Sequence, residues 1–189
     1  MQTPKQRTQI SKLLSKALRH EPDVLGLTLD PAGWVDVETL LAALAEHRHT
    51  VSVDDLNEVV TKCDKQRFAF DKTGTRIRAN QGHSIEVDLE LFPTAPPSVL
   101  YHGTAERFLP AIQSQGLLKM QRHHVHMSQD RDTAYRVGGR HGKPVVLEIA
   151  AGTMASDGFN FFVTANGVWL VDHVPPNYFN VLPPPTKQA

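Results

Sequence analysis

The stretch Glu90–Ser98, ELFPTAPPS, constrains this chain more than any other. Its prolines (Pro93, Pro96, Pro97) lack a backbone N–H, fix φ, and push each preceding residue into extended backbone. Such a stretch reads as a linker between domains. The 189 residues allow one large domain or two small ones, and the prolines favour two. The expected division is residues 1–90, a linker at 91–98, a second domain at 99–182, and a disordered tail at 183–189.

In the first half, Ile10, Leu13, Leu14, Ala17 and Leu18 follow the i, i+3, i+4 spacing of an amphipathic helix over Thr8–Leu18. Arg19 and His20 close that helix and Pro22 stops it. Cations at a helix C-terminus complement its dipole, so they need no ligand to explain them. Leu25–Asp30 reads as a short strand, followed by a turn and an anchoring Trp34. Val37–His47 and Asp54–Cys63 read as helices, the latter capped by Ser52 or Asp54. Arg67–Phe70 and Arg76–Ala79 flank a polar turn and predict a hairpin. Helices followed by a two-stranded wing suggest a winged-helix module. Lys65, Arg67, Arg76 and Arg78 crowd this hairpin, as a solvated wing or as an anion site. Asn80–Ser84 follows, rich in donors for phosphate oxygens.

In the second half, Val99–Tyr101 reads as a strand, with His102-Gly103-Thr104 opening a helix over Ala105–Gln115 that Gly116 ends. Gln121–Ser128 predicts a strand in which Val125 and Met127 face inward and His124, His126 and Ser128 share the other face. A row of imidazoles suits a pocket for a polar, anionic ligand better than a core. Asp130–Val137 reads as a helix, Gly138–Lys143 as a basic glycine-rich loop, and Pro144–Ile149 and Gly167–Val171 as strands. The expected fold class is α+β.

Lys+Arg and Asp+Glu balance at 20 each, so any nucleic-acid site must arise from local charge. Six of the ten histidines lie between His83 and His141. Cys63 is the only cysteine, which excludes an intrachain disulfide and a cysteine zinc cluster; its spacing places it in a helical core. His102, His124 and His126 suggest zinc, but no carboxylate or thiolate near them in sequence completes a site, and no metal is expected. P-loop, Gly-x-Gly-x-x-Gly and Gly-x-Ser-x-Gly motifs are absent. Met1–Gln9 is polar and no apolar run approaches a membrane span, so a soluble cytoplasmic protein is expected.

Several motifs then occur in a characteristic order. They are Leu18-Arg19-His20-x-Pro22, Gly33-Trp34, Lys65-x-Arg67-Phe68, Arg78-Ala79-x-Gln81-Gly82-His83-Ser84 and Tyr101-His102-Gly103-Thr104. Arg122-x-x-Val125-His126-x-Ser128, Arg140-His141-Gly142-x-Pro144-Val145-Val146-Leu147 and Gly167-Val168-Trp169-Leu170 complete the series. In these the sequence resembles the NAD-dependent RNA 2′-phosphotransferases, from about Ser11 to about Val174.

The resemblance implies a winged-helix RNA lobe followed by an ADP-ribosyltransferase-fold lobe that holds NAD, which is consumed. It implies two steps. An internal RNA 2′-phosphate attacks the anomeric carbon of the nicotinamide ribose and expels nicotinamide. The ribose 2″-hydroxyl then attacks phosphorus, giving 2′-hydroxyl RNA and ADP-ribose 1″,2″-cyclic phosphate.

The family's Arg-His-Arg-Arg tetrad maps onto Arg19, His20, Arg67 and Arg122. Guanidiniums stay charged at any working pH, and a histidine is the natural proton-transfer group. His102, His126 and Val168 map onto the transferase triad, with Val168 where many relatives carry glutamate. An ionised phosphate needs no base to activate it. The resemblance further assigns Gly103, Thr104, Ser128 and Arg140 to NAD, and His83 and Ser84 to RNA phosphate. His123, His124 and His141 receive no role. The expected partners are NAD and a tRNA-like RNA with an internal 2′-phosphate, with no membrane and a monomeric chain. Two alternatives stay open: an ADP-ribosyltransferase that caps terminal phosphates of RNA or DNA, and a non-catalytic RNA-binding module.

Overall fold

The computed structural model describes residues 3–63 and 66–183. The chain divides into two compact units, Met1–Glu90 and Leu91–Ala189. Each buries its own apolar cluster. Both mix helices with small antiparallel sheets. Among the described residues no helix is long and apolar enough to cross a membrane.

In the first unit, α1 (Pro4–Ala17) begins at a capping box. Thr3 Oγ1 accepts from the Gln6 N–H, and Gln6 Oε1 accepts from the Thr3 N–H. Pro4 occupies the first turn, where a missing N–H costs nothing. The helix therefore starts earlier than its apolar spacing alone predicts. Ile10, Leu14 and Ala17 form its buried face. They join Leu40 and Leu44 of α2 (Val37–Glu46) and Leu56 and Val59 of α3 (Val53–Thr61) in one core. Leu14 is wholly buried, so its truncation to alanine costs about 2–5 kcal/mol. Ser52 caps α3 through a second box with Asp55.

The sheet of this unit has the order β1–β3–β2, from β1 (Val35–Asp36), β2 (Phe68–Phe70) and β3 (Arg76–Ala79). The expected hairpin is β2–β3, with Phe70 opposite Ile77. Val35 takes the other side of Ile77. The strand expected over Leu25–Asp30 does not form. Pro22 starts a 3-10 turn over Pro22–Leu25 that ends at Gly26, whose φ of +61° is left-handed. Leu25 and Leu27 still enter the core. Asp30 Oδ1 then accepts from the N–H groups of Ala32 and Trp34, which closes the next turn.

The second unit is built on β4 (Leu100–Ala105), which pairs along its whole length with β7 (Pro144–Ile149). This corrects the expectation that His102-Gly103-Thr104 opens a helix. Those residues lie inside β4 because β7 offers an unbroken partner from Leu100↔Ile149 to Ala105↔Pro144. A 3-10 turn (Glu106–Phe108) and α4 (Leu109–Gln115) follow only then. α5 (Arg131–Gly138), capped by the Asp130 side chain, crosses β4 backbone to backbone. A Cβ on Gly103 would stand 1.7 Å from the Ala134 carbonyl oxygen, and one on Gly138 would stand 2.5 Å from that of Thr104. Only glycine fits at either point.

β11 (Phe179–Leu182) completes this sheet on the far side of β7. A second sheet has β6 (Val125–Met127), β9 (Trp169–Val171) and β8 (Phe162–Val163) in the order β6–β9–β8. The strand expected over 121–128 thus shrinks to three residues, and His124 falls outside it. Lys65 and the tail from residue 184 lie outside the described residues.

Candidate active site

Within the first unit, four residues from distant segments converge. Arg19 follows α1 and its Nη2 donates to the Arg67 carbonyl at 3.2 Å. The Arg19 carbonyl accepts from the Ser84 N–H at 2.9 Å. His20 is exposed, and its Nδ1 lies 2.9 Å from Ser84 Oγ. The Arg19 guanidinium stands over the Phe68 ring at 5.9 Å, a distance at which cation and ring attract. Arg67 Nη1 donates to Cys63 Sγ at 3.2 Å. Cys63 is only half-buried, so the thiol expected in a core instead supports an arginine.

Asn80, read from the sequence as one of a run of donors for phosphate oxygens, has another role in the structure. It is buried, its Nδ2 donates to the Gln66 carbonyl at 2.6 Å, and its N–H donates to the Arg67 carbonyl at 2.9 Å. It therefore fixes the backbone that carries Arg67, rather than offering its amide to a ligand. Gln66 itself has φ +40°, an unusual value for a non-glycine residue that this double anchor holds in place. The sequence places Asn80 among donors directly after β3 but does not show that its amide turns to the Gln66 carbonyl.

His83 is 3% exposed, and its Nε2 lies near the Gly33 turn. Its place is inside the unit, while Ser84 next to it is exposed. The hairpin arginines are also committed. Arg76 pairs with Asp30 and Asp71, each at 3.4 Å. Arg78 stacks on Trp34 at 4.4 Å and donates to the Ala32 carbonyl. Of the hairpin cations described, Arg67 alone meets Arg19, through its backbone carbonyl.

Within the second unit, Tyr101 and Ser128 exchange backbone hydrogen bonds at 2.9 Å, which ties β4 to the end of β6. That tie places His102 beside His126. The His102 Nδ1 lies 2.8 Å from the His126 carbonyl. A carbonyl only accepts, so Nδ1 carries the proton and, in the neutral ring, Nε2 presents a lone pair. Burial lowers the His102 pKa below the ordinary histidine value, the His126 carbonyl opposes this, and Arg122 adds to the lowering.

Arg122 Nη1 stands 3.4 Å from His126 Nδ1. A guanidinium only donates, so Nδ1 accepts and the proton of a neutral His126 sits on Nε2. Burial, then the charges of Arg122 and His102, push the His126 pKa down to about 3. The neutral ring is therefore the working form. His126 Nε2 is buried and meets no hydrogen-bond partner among the described residues. The two rings together present one acceptor, His102 Nε2, and one donor, His126 Nε2–H. That pair matches a hydroxyl or a carboxamide.

The remaining candidates lie nearby in sequence or on loops. Thr104 is buried in β4. Ser128 donates its hydroxyl to the Asp130 carbonyl. Arg140 is exposed in the loop after α5. Val168 is half-buried just before β9, with its N–H donated to Thr164 Oγ1. His124 packs its ring against Phe162 at 5.5 Å, and burial pushes its pKa down. Among the described residues no group of three or more His, Cys, Asp or Glu is placed to hold a metal ion.

Comparison with known proteins gives a consistent family. The sequence profile described as RNA 2′-phosphotransferase, Tpt1 / KptA family, matches residues 5–173. The probable RNA 2′-phosphotransferase of Trichormus variabilis is 57% identical over 176 residues, covering 93% of this chain and 97% of that protein. The proteins of the same name from Nostoc punctiforme and Streptomyces coelicolor are each 55% identical over 170 residues. Both alignments cover 90% of this chain, with 94% and 92% of the relatives.

Proposed function

The chain belongs to the RNA 2′-phosphotransferase, Tpt1 / KptA family, and we propose that it moves an internal RNA 2′-phosphate onto NAD. The 2′-phosphate oxygen forms a bond to the anomeric carbon of the nicotinamide ribose as the bond to nicotinamide breaks, its electron pair leaving with the nicotinamide. The ribose 2″-hydroxyl then bonds to phosphorus, the bond from phosphorus to the RNA 2′-oxygen breaks, and the hydroxyl proton ends on that oxygen. The products are 2′-hydroxyl RNA, ADP-ribose 1″,2″-cyclic phosphate and nicotinamide. In this reading the first unit is the winged-helix RNA lobe and the second the ADP-ribosyltransferase-type lobe.

The observation that carries the proposal is the sorting of two chemistries. Arg19, Arg67, His20 and Ser84 converge in the first unit, through contacts made largely by their backbones. Their charged ends suit a phosphate whose negative charge shifts during transfer. His20, exposed and held by a hydroxyl, takes the proton-transfer role. The resemblance assigns Arg122 to the 2′-phosphate, and within the second unit its hydrogen bond also sets the tautomer of His126.

The neutral rings of His102 and His126 fit NAD. A pair with one acceptor and one donor suits ribose hydroxyls or the nicotinamide amide, and it brings no charge that would repel the nicotinamide cation. Thr104, Ser128 and Arg140 are assigned to the same ligand, and Val168 offers an aliphatic wall in place of a base. Gly103 has a packing reason of its own against α5, which keeps β4 and its His102 rigid.

The proposal is tested by incubating the protein with NAD and an RNA that carries an internal 2′-phosphate. We expect loss of the 2′-phosphate only when NAD is present, with release of nicotinamide. Loss of phosphate without NAD, or ADP-ribose that remains attached to a terminal phosphate of a strand as the sole product, would overturn it.

A further inference from the structure

A groove of about 570 Å³ runs between α1 and α3 in the first unit. Thr8, Ser11 and Ser15 line it from α1, with Arg7 and Lys12 beside them. Glu58 and Lys62 line it from α3 and its C-terminal cap. Arg19 and Arg67 line the same groove, so it is continuous with the residues assigned to the 2′-phosphate. We propose that this groove is the track for the RNA strand flanking the 2′-phosphorylated nucleotide, with Arg7, Lys12 and Lys62 taking its phosphodiesters. The inference rests on RNA being the substrate.

Charge is the first argument. Among the described residues the groove gathers five cations against the single carboxylate of Glu58, in a chain whose formal net charge is zero. The bias is local, as a nucleic-acid site in a neutral protein requires.

Shape is the second. Thr8, Ser11 and Ser15 recur at helical spacing, so they share one face of α1, and Arg19 follows just past its end. Their short hydroxyl side chains leave room, while longer cations flank them. The fourteen residues of α1 extend roughly 21 Å, enough for more than one phosphodiester. None of the described lining residues is aromatic, so they offer charge to a backbone and no platform for a base.

Glu58 explains how the cations stand ready. Arg7 Nη1 meets it at 3.0 Å and Lys62 Nζ at 2.6 Å. The carboxylate holds Arg7 across the groove and Lys62 one turn further along α3, and offsets their mutual repulsion. The Lys62 side chain is 57% exposed. Ion pairs this open add little net stability, so its ammonium can exchange Glu58 for a phosphate at small cost.

Binding of a dye-labelled RNA with one internal 2′-phosphate tests the track. Affinity is measured by fluorescence anisotropy without NAD, so the result does not depend on turnover, which tests the transferase reading separately. A dinucleotide is compared with a strand that extends several nucleotides on both sides. We expect the wild type to bind the longer strand more tightly. The double variant Lys12→Ala/Lys62→Ala should lose about tenfold more affinity for the longer strand than for the dinucleotide. The slope of log affinity against log salt should fall by about 0.7 for each phosphate deprived of its lysine. Both lysines are exposed, and an unchanged melting curve establishes that the variant is folded. Lys72→Ala, in the exposed hairpin turn, removes the same kind of charge away from the groove. Equal affinity of the wild type for both lengths, equal losses on both lengths, or the same loss from Lys72→Ala would overturn the proposal.

Discussion

Histidine serves the two units in opposite settings. His20 stands exposed after α1, with Ser84 Oγ at hydrogen-bond distance and an arginine on its chain neighbour. His102 and His126 sit inside the second unit, where burial holds both rings neutral and Arg122 adds to the effect. The difference teaches how one residue type is turned to two tasks. Exposure leaves a ring open to a ligand, which is the setting that the proposed proton transfer requires. Burial removes the charge and leaves hydrogen bonds of fixed direction, which is what a neutral sugar or amide requires.

The largest expected effect comes from Arg122→Ala, because the proposed function assigns this arginine to the phosphate while its guanidinium also meets His126 Nδ1. Turnover should fall about 10²–10³-fold. The second step should slow more than the first, so 2′-phospho-ADP-ribosylated RNA should accumulate and be visible by mass spectrometry. Unchanged turnover would remove Arg122 from the phosphate site and leave it only a structural partner of His126.

Next in size is Gly103→Ala. The added methyl would collide with the α5 backbone, where no flexible side chain can give way. A stability loss of about 3 kcal/mol is expected, read as a lower melting temperature of the second unit. An unchanged melting curve would mean that β4 and α5 have room to part, and that the strand does not hold His102 rigidly.

His126→Phe should weaken NAD binding about tenfold by deleting the Nε2–H donor. RNA affinity should move far less, which titration calorimetry with each ligand separates. His126→Gln, which restores an amide donor, should recover part of the loss. Equal losses for both ligands would break the division between the two clusters.

The smallest effect near neutrality is a dependence of stability on acid. His126 is lowered from 6.5 to about 3 in the folded chain. Between those values the unfolded chain binds a proton that the folded chain refuses, so stability falls as pH falls through this window and is unaffected above it. The slope is at most about 1.4 kcal/mol per pH unit for this ring. His102, shifted in the same direction, adds to it. Chemical denaturation at several pH values should show the slope, and His126→Phe should reduce it.

Much of the first unit was legible because its signals are local. Ile10, Leu14 and Ala17 mark a helix face, Ser52 precedes a capped helix, and a polar turn joins Phe68–Phe70 to Arg76–Ala79. The second unit was harder. Its short elements, such as β8, β10 (His173–Val174) and α6 (Ala151–Ser156), are too brief to show a period. His102-Gly103-Thr104 reads as the opening of a helix, yet its glycine serves a different helix which arrives some thirty residues later.

Residue types at the candidate site were also legible, since guanidiniums and imidazoles in ordered motifs are conspicuous. Their support was not. That Asn80 anchors Arg67, that Cys63 accepts from it, and that His83 is buried are all consequences of tertiary packing. The tautomers of His102 and His126 depend on a carbonyl and a guanidinium that no spacing rule places.

The central claim is a transfer of phosphorus from RNA to NAD, and a radiolabel on the 2′-phosphate follows it directly. With wild-type protein and NAD, the account predicts that the label leaves the RNA and appears in a cyclic phosphate of ADP-ribose, with one nicotinamide released per labelled phosphate. Label recovered as inorganic phosphate, or label lost from the RNA without nicotinamide, would contradict it.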